Sequence, residues 1–348
     1  MNAVKIFLSN NAINEVTSYY VSLIEKSLKI AGKLVIRVND INRISEGEAV
    51  VTILPFDALK LILLKKAKII HWFQGIGPEE YQLLHSEDKT ILRTKSIVKI
   101  LEISEQIVLR KSLGRIFVSE SMARHYKEKY HMPDIDYVVI PCYNTKLYNK
   151  DYDNNRYENP TFIYVGSSYA WQRLDKTLDI FKAVENLIPF ARLSVMTKDK
   201  EAVKYMAEQR KIKNISIGYA SQDELDIIMS NHKYAFLVRD DIDINRVSTP
   251  TKMANYISVG LIPIYSDAID AFRENINLAD FGLCLPNNLS IHEIAVRIAN
   301  HHNRTKDYIN LEEMRGIKEQ IFKNYYSDDV NISKLVDYFK NTKFDGWL

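Results

Sequence analysis

Glycine is scarce in this chain, with 11 residues in 348, where globular proteins average ~7%. Turns that need a positive φ, and loops that bring bare backbone against a phosphate, are therefore few, so the positions of the remaining glycines carry information. Cysteine is scarcer still. Cys142 and Cys284 stand far apart and outside any C-x-x-C pair, which excludes a disulfide framework and a cysteine zinc site and points to a reducing compartment. No run of apolar residues reaches the roughly 18 that a transmembrane helix requires. The first nine residues lack the basic start, long apolar centre and small-residue cleavage site of a signal peptide, so a cytoplasmic protein is the expectation. Nor is the composition that of a disordered chain. Hydrophobic residues make up 46% and charged residues 26%, enough apolar surface for a large core, and the length suggests two domains at about 100–200 residues each.

The formal charge of +3 hides an asymmetry: residues 1–150 carry 22 Lys and Arg against 16 Asp and Glu, and the remainder is acidic. Within the basic half, residues 58–70 are strongly apolar yet contain Lys60, Lys65, Lys66 and Lys68, the pattern of a basic amphipathic helix followed by a short strand. Together with the helical segment 95–111 this predicts peripheral contact with the anionic inner face of a membrane. An ordinary solvated face is the alternative, since surplus lysine is common on protein surfaces. Nucleic-acid binding is not expected, because there is neither a recognition motif nor an Arg-rich stripe.

Short β-rich runs at 4–8, 33–38, 49–54, 68–72, 115–118 and 137–140 alternate with helical patterns such as 14–31 and 95–111. A βαβα order implies a parallel sheet covered on both faces. At 143–160 the texture changes to Asn, Asp and Tyr with almost no aliphatic residue, which reads as a linker. The alternation resumes with strands at 161–165, 192–196, 215–217, 234–238, 262–265 and 282–285. The chain is then helical to its end. The expected domains are 1–145 and 160–326, with a helix at 327–348 packing back on the first. Open α/β sheets bind ligands beyond the carboxyl ends of their strands, so a cleft between the two halves is the expected site.

The best-specified segment runs strand, loop, helix, strand over 234–265. Thr249 suits an N-cap and Pro250 the first helical position, leaving the N–H groups of Thr251, Lys252 and Met253 free beside one ammonium. Such a helix end binds phosphate or carboxylate; a merely well-capped helix is the alternative. The loop before it carries Arg239, Asp240, Asp241 and Arg246. Residues 247–256, Val-Ser-Thr-Pro-Thr-Lys-Met-Ala-Asn-Tyr, with Gly-Leu-Ile-Pro-Ile at 260–264, resemble the nucleotide-binding segment of GT-B glycosyltransferases of the group 1 (family 4-like) kind. A second segment, His71-Trp72-Phe73-Gln74-Gly75-Ile76-Gly77-Pro78-Glu79-Glu80, is similar to the W-x-Q-G-x-x-P-E-E stretch of the family's bacterial polysaccharide-type members. A third, Val118-Ser119-Glu120-Ser121-Met122, looks like their V-S-E-x-M stretch.

The fold this resemblance implies is two Rossmann-like doubly wound α/β domains facing across a cleft. It implies a nucleotide sugar as donor, a glycan or lipid-linked acceptor, no other cofactor and no metal. Lys252 and Arg173 become catalytic candidates that stabilise the leaving diphosphate, and His71 and Gln74 catalytic candidates contacting the sugar. Gly166, Ser167, Tyr219, Arg239, Thr249, Thr251 and Asn255 become donor-binding candidates, and Asn10, Glu79 and Ser119 acceptor-binding ones. Asn255 stands five before Gly260, where the family has an acidic residue for the ribose hydroxyls, and Val247 replaces its other glutamate. The family's arginine after the glycine is Ser167 here. Ser221 and Glu224 fit a capping box, and Glu79 and Glu80 fit the first turn of a helix as readily as a ligand. Three D-x-D triplets, at 134–136, 151–153 and 241–243, read as chance rather than as a metal motif. The activity implied is retaining transfer in cell-surface polysaccharide synthesis. A sugar-nucleotide epimerase or hydrolase, and a degenerate binding or scaffold subunit, remain the alternatives.

Overall fold

The computed structural model of the chain describes residues 3–9, 12–86, 91–147 and 154–340. It divides into two compact units, one of Met1–Asn144 with Val247–Thr249 and Asn324–Leu348, the other of Thr145–Arg246 with Pro250–Lys323.

The first unit carries strands β1 (Ala3–Phe7), β2 (Leu34–Val38), β3 (Ala49–Thr52), β4 (Lys68–Phe73), β5 (Gly114–Phe117) and β6 (Val138–Val139). They form one sheet in the order β2-β1-β3-β4-β5-β6, parallel at every pairing. β3 and β5 are buried along their whole length; Ala-Val-Val of β3 accordingly reads as a continuous apolar run rather than an alternating one, while β5 buries Arg115 as well. The helix Glu15–Ile30 starts at Asn14, whose side chain accepts from Thr17 N at 2.9 Å while Thr17 Oγ1 accepts from Asn14 N at 2.7 Å. Its Tyr20 stacks on Trp72 of β4 at 4.4 Å between ring centroids. The helix Asp328–Phe339 packs beside it, and Tyr19 donates to Asp328 Oδ1 at 2.5 Å.

The second unit carries β7 (Thr161–Val165), β8 (Arg192–Met196), β9 (Ile215–Gly218), β10 (Tyr234–Leu237), β11 (Ile262–Ser266) and β12 (Leu283–Leu285). Their order is β12-β11-β10-β7-β8-β9, again all parallel. After building outward from β7 to β9 the chain crosses back to lay β10 on the other side of β7. The carboxyl ends of β7 and β10 therefore flank the point where strand order reverses, the usual place for a ligand in such a sheet. Phe162 of β7 fixes that point: it stacks on Tyr234 and Phe236 of β10 at 5.0 and 5.5 Å, and Phe181 of the helix Leu174–Leu187 meets it edge-on at 5.7 Å.

All twelve strands expected from the sequence form, in two Rossmann-like parallel sheets with helices between the strands. Local details add to the expectation at two places and correct it at one. The polar stretch 143–160 is anchored at both of its described ends. Tyr143 is fully buried and donates to Asp328 at 3.0 Å, while Arg156 and Tyr157 are buried and donate to Gly260 O at 2.6 and 2.7 Å. Tyrosine rings and a guanidinium fork do there what aliphatic side chains do elsewhere. The helix over 251–258 is capped by Pro250, not Thr249. Beyond residue 287 the described chain forms three separate helices, Ile291–Thr305, Leu311–Asn324 and Asp328–Phe339. Among the described residues no helix is long and apolar enough to cross a membrane.

Candidate functional site

At the carboxyl end of β7, Gly166 has φ +147°, and a Cβ there would overlap Lys252 Nζ and Gln172 Oε1. Absence of a side chain lets the lysine lie across the strand end. Lys252 Nζ donates to Gln172 Oε1 and sits 4.8 Å from the centroid of the Tyr164 ring. Gln172 is itself fixed, donating to Ser167 Oγ at 2.8 Å and accepting from Tyr164 at 3.0 Å. An amide oxygen and a π face thus replace the carboxylate that a half-buried lysine normally has. Burial, reinforced by repulsion from Arg239, holds this amine well below the usual lysine range.

Arg239, at the end of β10, is itself buried. It donates through Nη1 to Trp171 O at 2.6 Å, and its Nε has no hydrogen-bond partner among the described residues. Burial pushes its guanidinium down to about 10. Asn255 follows Lys252 by three residues and Thr251 by four on the helix Thr251–Ser258, so it neighbours each of them on the helix surface. Its Oδ1 is buried and likewise unpartnered. Two basic side chains with no carboxylate partner among the described residues, and an open amide oxygen, make a region short of negative charge and of hydroxyl donors. Beside it a pocket of about 460 Å³ opens at the ends of β7, β8 and β9, lined by Gly166, Ser167, Ser168, Lys198, Asp199 and Tyr219. Tyr219 is 54% exposed with Lys198 Nζ 5.6 Å from its ring centroid, and Asp199 accepts from Ser168 N and Oγ, both at 2.8 Å.

Gly166, Ser167, Arg239, Thr251, Lys252 and Asn255 therefore come together, with Tyr219 on the adjoining pocket wall. Sequence reading missed Tyr164 and Gln172, which hold the lysine. Gln172 lies in the loop that follows Gly166, but a single amide between Trp171 and Arg173 carries no motif. Two other donor-side expectations are corrected. Thr249 is buried, and its hydroxyl oxygen accepts from Cys142 N at 2.9 Å within the first unit, so it is committed there and does not cap the helix. Met253 N is not free either, since it donates to Pro250 O at 3.2 Å. Arg173 takes a left-handed φ of 45° at the head of its helix. There it forms a bidentate pair with Asp175, both bonds 3.0 Å, and a second ion pair with Asp240. Two carboxylates match the charge it was expected to offer a phosphate.

Among first-unit candidates, Asn10 lies outside the described residues. His71 is fully buried within β4, its Nδ1 2.8 Å from Thr52 Oγ1, and desolvation pushes it down to about 3. It is a neutral core imidazole and not a sugar contact. Gln74 is exposed and donates weakly to Ile53 O at 3.3 Å. Glu79 is taken by Lys129 Nζ at 2.6 Å and His125 Nε2 at 3.2 Å. Ser119 is buried, caps the helix Glu120–Lys129 by accepting from Met122 N, and donates to Val247 O at 2.6 Å. Both Glu79 and Ser119 are occupied by the protein itself. Of the D-x-D triplets, Asp241 and Asp243 both pair with Arg246 and Asp134 pairs with Lys127, while 151–153 lies outside the described residues. Among the described residues no group of three His, Cys, Asp or Glu side chains is placed to hold a metal ion.

No protein-family model and no curated protein sequence matches the chain. Solved structures do. S. aureus TarM, in a complex with fondaparinux, alpha-GlcNAc-glycerol and UDP, superposes with a TM-score of 0.62 at 14% identity over 86% of this chain and 57% of TarM. This chain thus spans little more than half of TarM's length. WaaG, a glycosyltransferase involved in lipopolysaccharide biosynthesis, matches with a TM-score of 0.65 at 10% identity over 97% of this chain and 99% of its own. The lipopolysaccharide outer core galactosyltransferase WaaB gives 0.63 at 11% over the same shares. At such identities the likeness speaks of fold, and the chain has the GT-B fold.

Proposed function

We propose that this chain is a glycosyltransferase that moves a sugar from a nucleoside diphosphate sugar to a hydroxyl of a glycan or lipid-linked acceptor. The observation that carries the reading is Lys252, a half-buried amine with no carboxylate partner among the described residues, laid across the end of β7 through the gap left by Gly166. Such a group lacks an anion, and a leaving diphosphate supplies one where its charge develops. Arg239 adds a second cation, Thr251 and Lys252 the free N–H groups of a helix start, Asn255 an acceptor for a ribose hydroxyl, and Tyr219 a face for the base. With these groups the transfer needs no metal ion, proceeds with retention, and serves cell-surface polysaccharide synthesis. The acceptor proton passes to the leaving phosphate rather than to a protein base.

Asn255 in place of a carboxylate favours a second reading, a binding or scaffold subunit. Titration of nucleoside diphosphates and nucleotide sugars, read by thermal shift, tests both. A ligand that binds only the folded state raises its stability, so a shift lost in Lys252→Ala and Asn255→Ala supports the site, and unchanged affinity in both refutes it. Product analysis with acceptor present then separates transferase from binding subunit, and donor turnover without acceptor marks the epimerase or hydrolase.

Peripheral contact with the inner face of an anionic membrane belongs to the same proposal. Phe56, Leu63 and Leu64 on the helix Pro55–Lys65, and Leu92, Ile100 and Ile103 on Ile91–Lys111, are all exposed among lysines. Co-sedimentation with liposomes should rise with anionic lipid content; insensitivity to it would count against the contact.

A further inference from the structure

Behind the Gln74–Gly75 turn of the first unit lies a buried ionic cluster that the proposed chemistry does not use. Tyr126 is completely buried. Its hydroxyl is 2.9 Å from Gly75 O and 3.0 Å from Glu105 Oε1. Tyr130 donates to the other oxygen of Glu105 at 2.6 Å. Lys129 is nearer Glu79, at 2.6 Å, than Glu105, at 3.6 Å, and His125 also faces Glu79. Glu102 acts on Tyr130 from the helix that carries Glu105, and the Glu80 carboxyl, raised by burial, lies against Gly75 itself.

The protons in this cluster can be counted. A tyrosine hydroxyl has one hydrogen, and Tyr126 has two acceptors within bonding distance. If Glu105 is ionised, its carboxylate claims that hydrogen, because a charge-assisted bond outcompetes one to a neutral carbonyl, and Gly75 O loses its donor. If Glu105 carries a proton, it donates to the Tyr126 oxygen, and the Tyr126 hydrogen turns to Gly75 O. Two carboxylates, Glu79 and Glu105, face the single ammonium of Lys129. The Glu105 side chain is 5% exposed against 20% for Glu79, so a proton that relieves the surplus charge goes to Glu105.

We propose that Glu105 is a positioning residue whose proton, relayed through the Tyr126 hydroxyl, fastens the Gln74–Gly75 turn at low pH and releases it at high pH. The interest of this turn rests on the glycosyltransferase reading, in which Gln74 contacts the sugar, but the device itself does not. Burial pushes the Glu105 carboxyl up to about 7, which sets the switch near neutrality.

Amide hydrogen exchange over residues 74–80 of the full chain, corrected for the intrinsic effect of pH, tests the relay without any substrate. In the wild type, protection should fall between pH 6 and 8 by roughly two- to tenfold, the range of one hydrogen bond. Glu105→Gln keeps the shape, and its amide donates permanently to Tyr126, so this variant should show the high protection at every pH. Tyr126→Phe has no hydrogen to relay and should show the low protection at every pH; a step that persists in this variant belongs to Glu80 and not to Glu105. A merely structural role loosens the turn in both variants, and that result, or a wild type with no step, overturns the relay. Loss of donor-induced thermal shift would instead bear on the glycosyltransferase reading alone.

Discussion

Lys252 shows most directly how one residue's surroundings set what it does. In the free protein, burial and the Arg239 guanidinium favour its neutral amine. An anion placed beside it favours the ammonium. A nucleotide sugar has a diphosphate with no proton to titrate near neutrality, so the proton that accompanies binding must come from the buffer. Affinity should therefore fall as pH rises through the titration of the unliganded lysine. Isothermal calorimetry in buffers of different ionisation enthalpy measures the uptake, and an apparent enthalpy that does not change with buffer would refute it. Lys252→Met should remove the proton uptake and weaken binding by tenfold or more, the order expected for losing a charge-assisted hydrogen bond of about 1.5–3 kcal/mol. The same logic explains why residue type misled at other positions. His71, Glu79 and Ser119 are chemically suited to a sugar, but the fold spends them on Thr52, Lys129 and Val247 O. Composition shows what a side chain can bond and not which neighbour reaches it first.

Among elements, the strands were legible because most are short buried runs between polar turns, and the more exposed β2 and β9 are still β-branched runs so bounded. Element ends were less so. Thr-Pro-Thr reads as a helix cap, but Thr249 turns to Cys142 N and the helix begins one residue later. That choice rests on a contact 107 residues distant in sequence, which no local window contains. Burial within the stretch 143–160 is set by distant partners in the same way, since Arg156 and Tyr157 are polar by type and buried by partner. Glycine scarcity did locate the important junction, the one between β7 and its loop. Gly166→Ala should strain the backbone at φ +147° and drive a methyl group into Lys252 and Gln172. The expected cost is about 1–3 kcal/mol in chemical denaturation. It should come with a loss of donor-induced thermal shift, because the lysine can no longer cross the strand end. An alanine variant of wild-type stability and donor affinity would show that the space is not needed.

Over the whole molecule, buried titratable groups give the stability an expected dependence on pH. Lys233 is fully buried and donates to Tyr157 O at 2.6 Å, and burial pushes it down to about 7. Lys318 is 3% exposed and is also pushed down to about 7. Each amine binds a proton in the unfolded chain up to about pH 10.4 but releases it in the folded chain above about 7. The unfolded state therefore holds more protons throughout that window, and stability rises with pH by up to about 1.4 kcal/mol per unit for each group. The opposing groups act later. In the same unit as these lysines, burial raises the Cys284 thiol and lifts Tyr164, Tyr234 and Tyr256 well above the ordinary phenol range. These lose protons on unfolding and make stability fall again from about pH 9 upward. Guanidinium unfolding at fixed pH, followed by a probe in the second unit such as its Trp171, should thus show a rising midpoint between pH 7 and about 9 and a decline beyond. Lys252 is a third buried amine held below the usual lysine range, so Lys233→Met should cut the rise by roughly a third while leaving the decline in place. A midpoint that is flat or falling between pH 7.5 and 9 in the wild type would mean that these lysines keep their protons when folded.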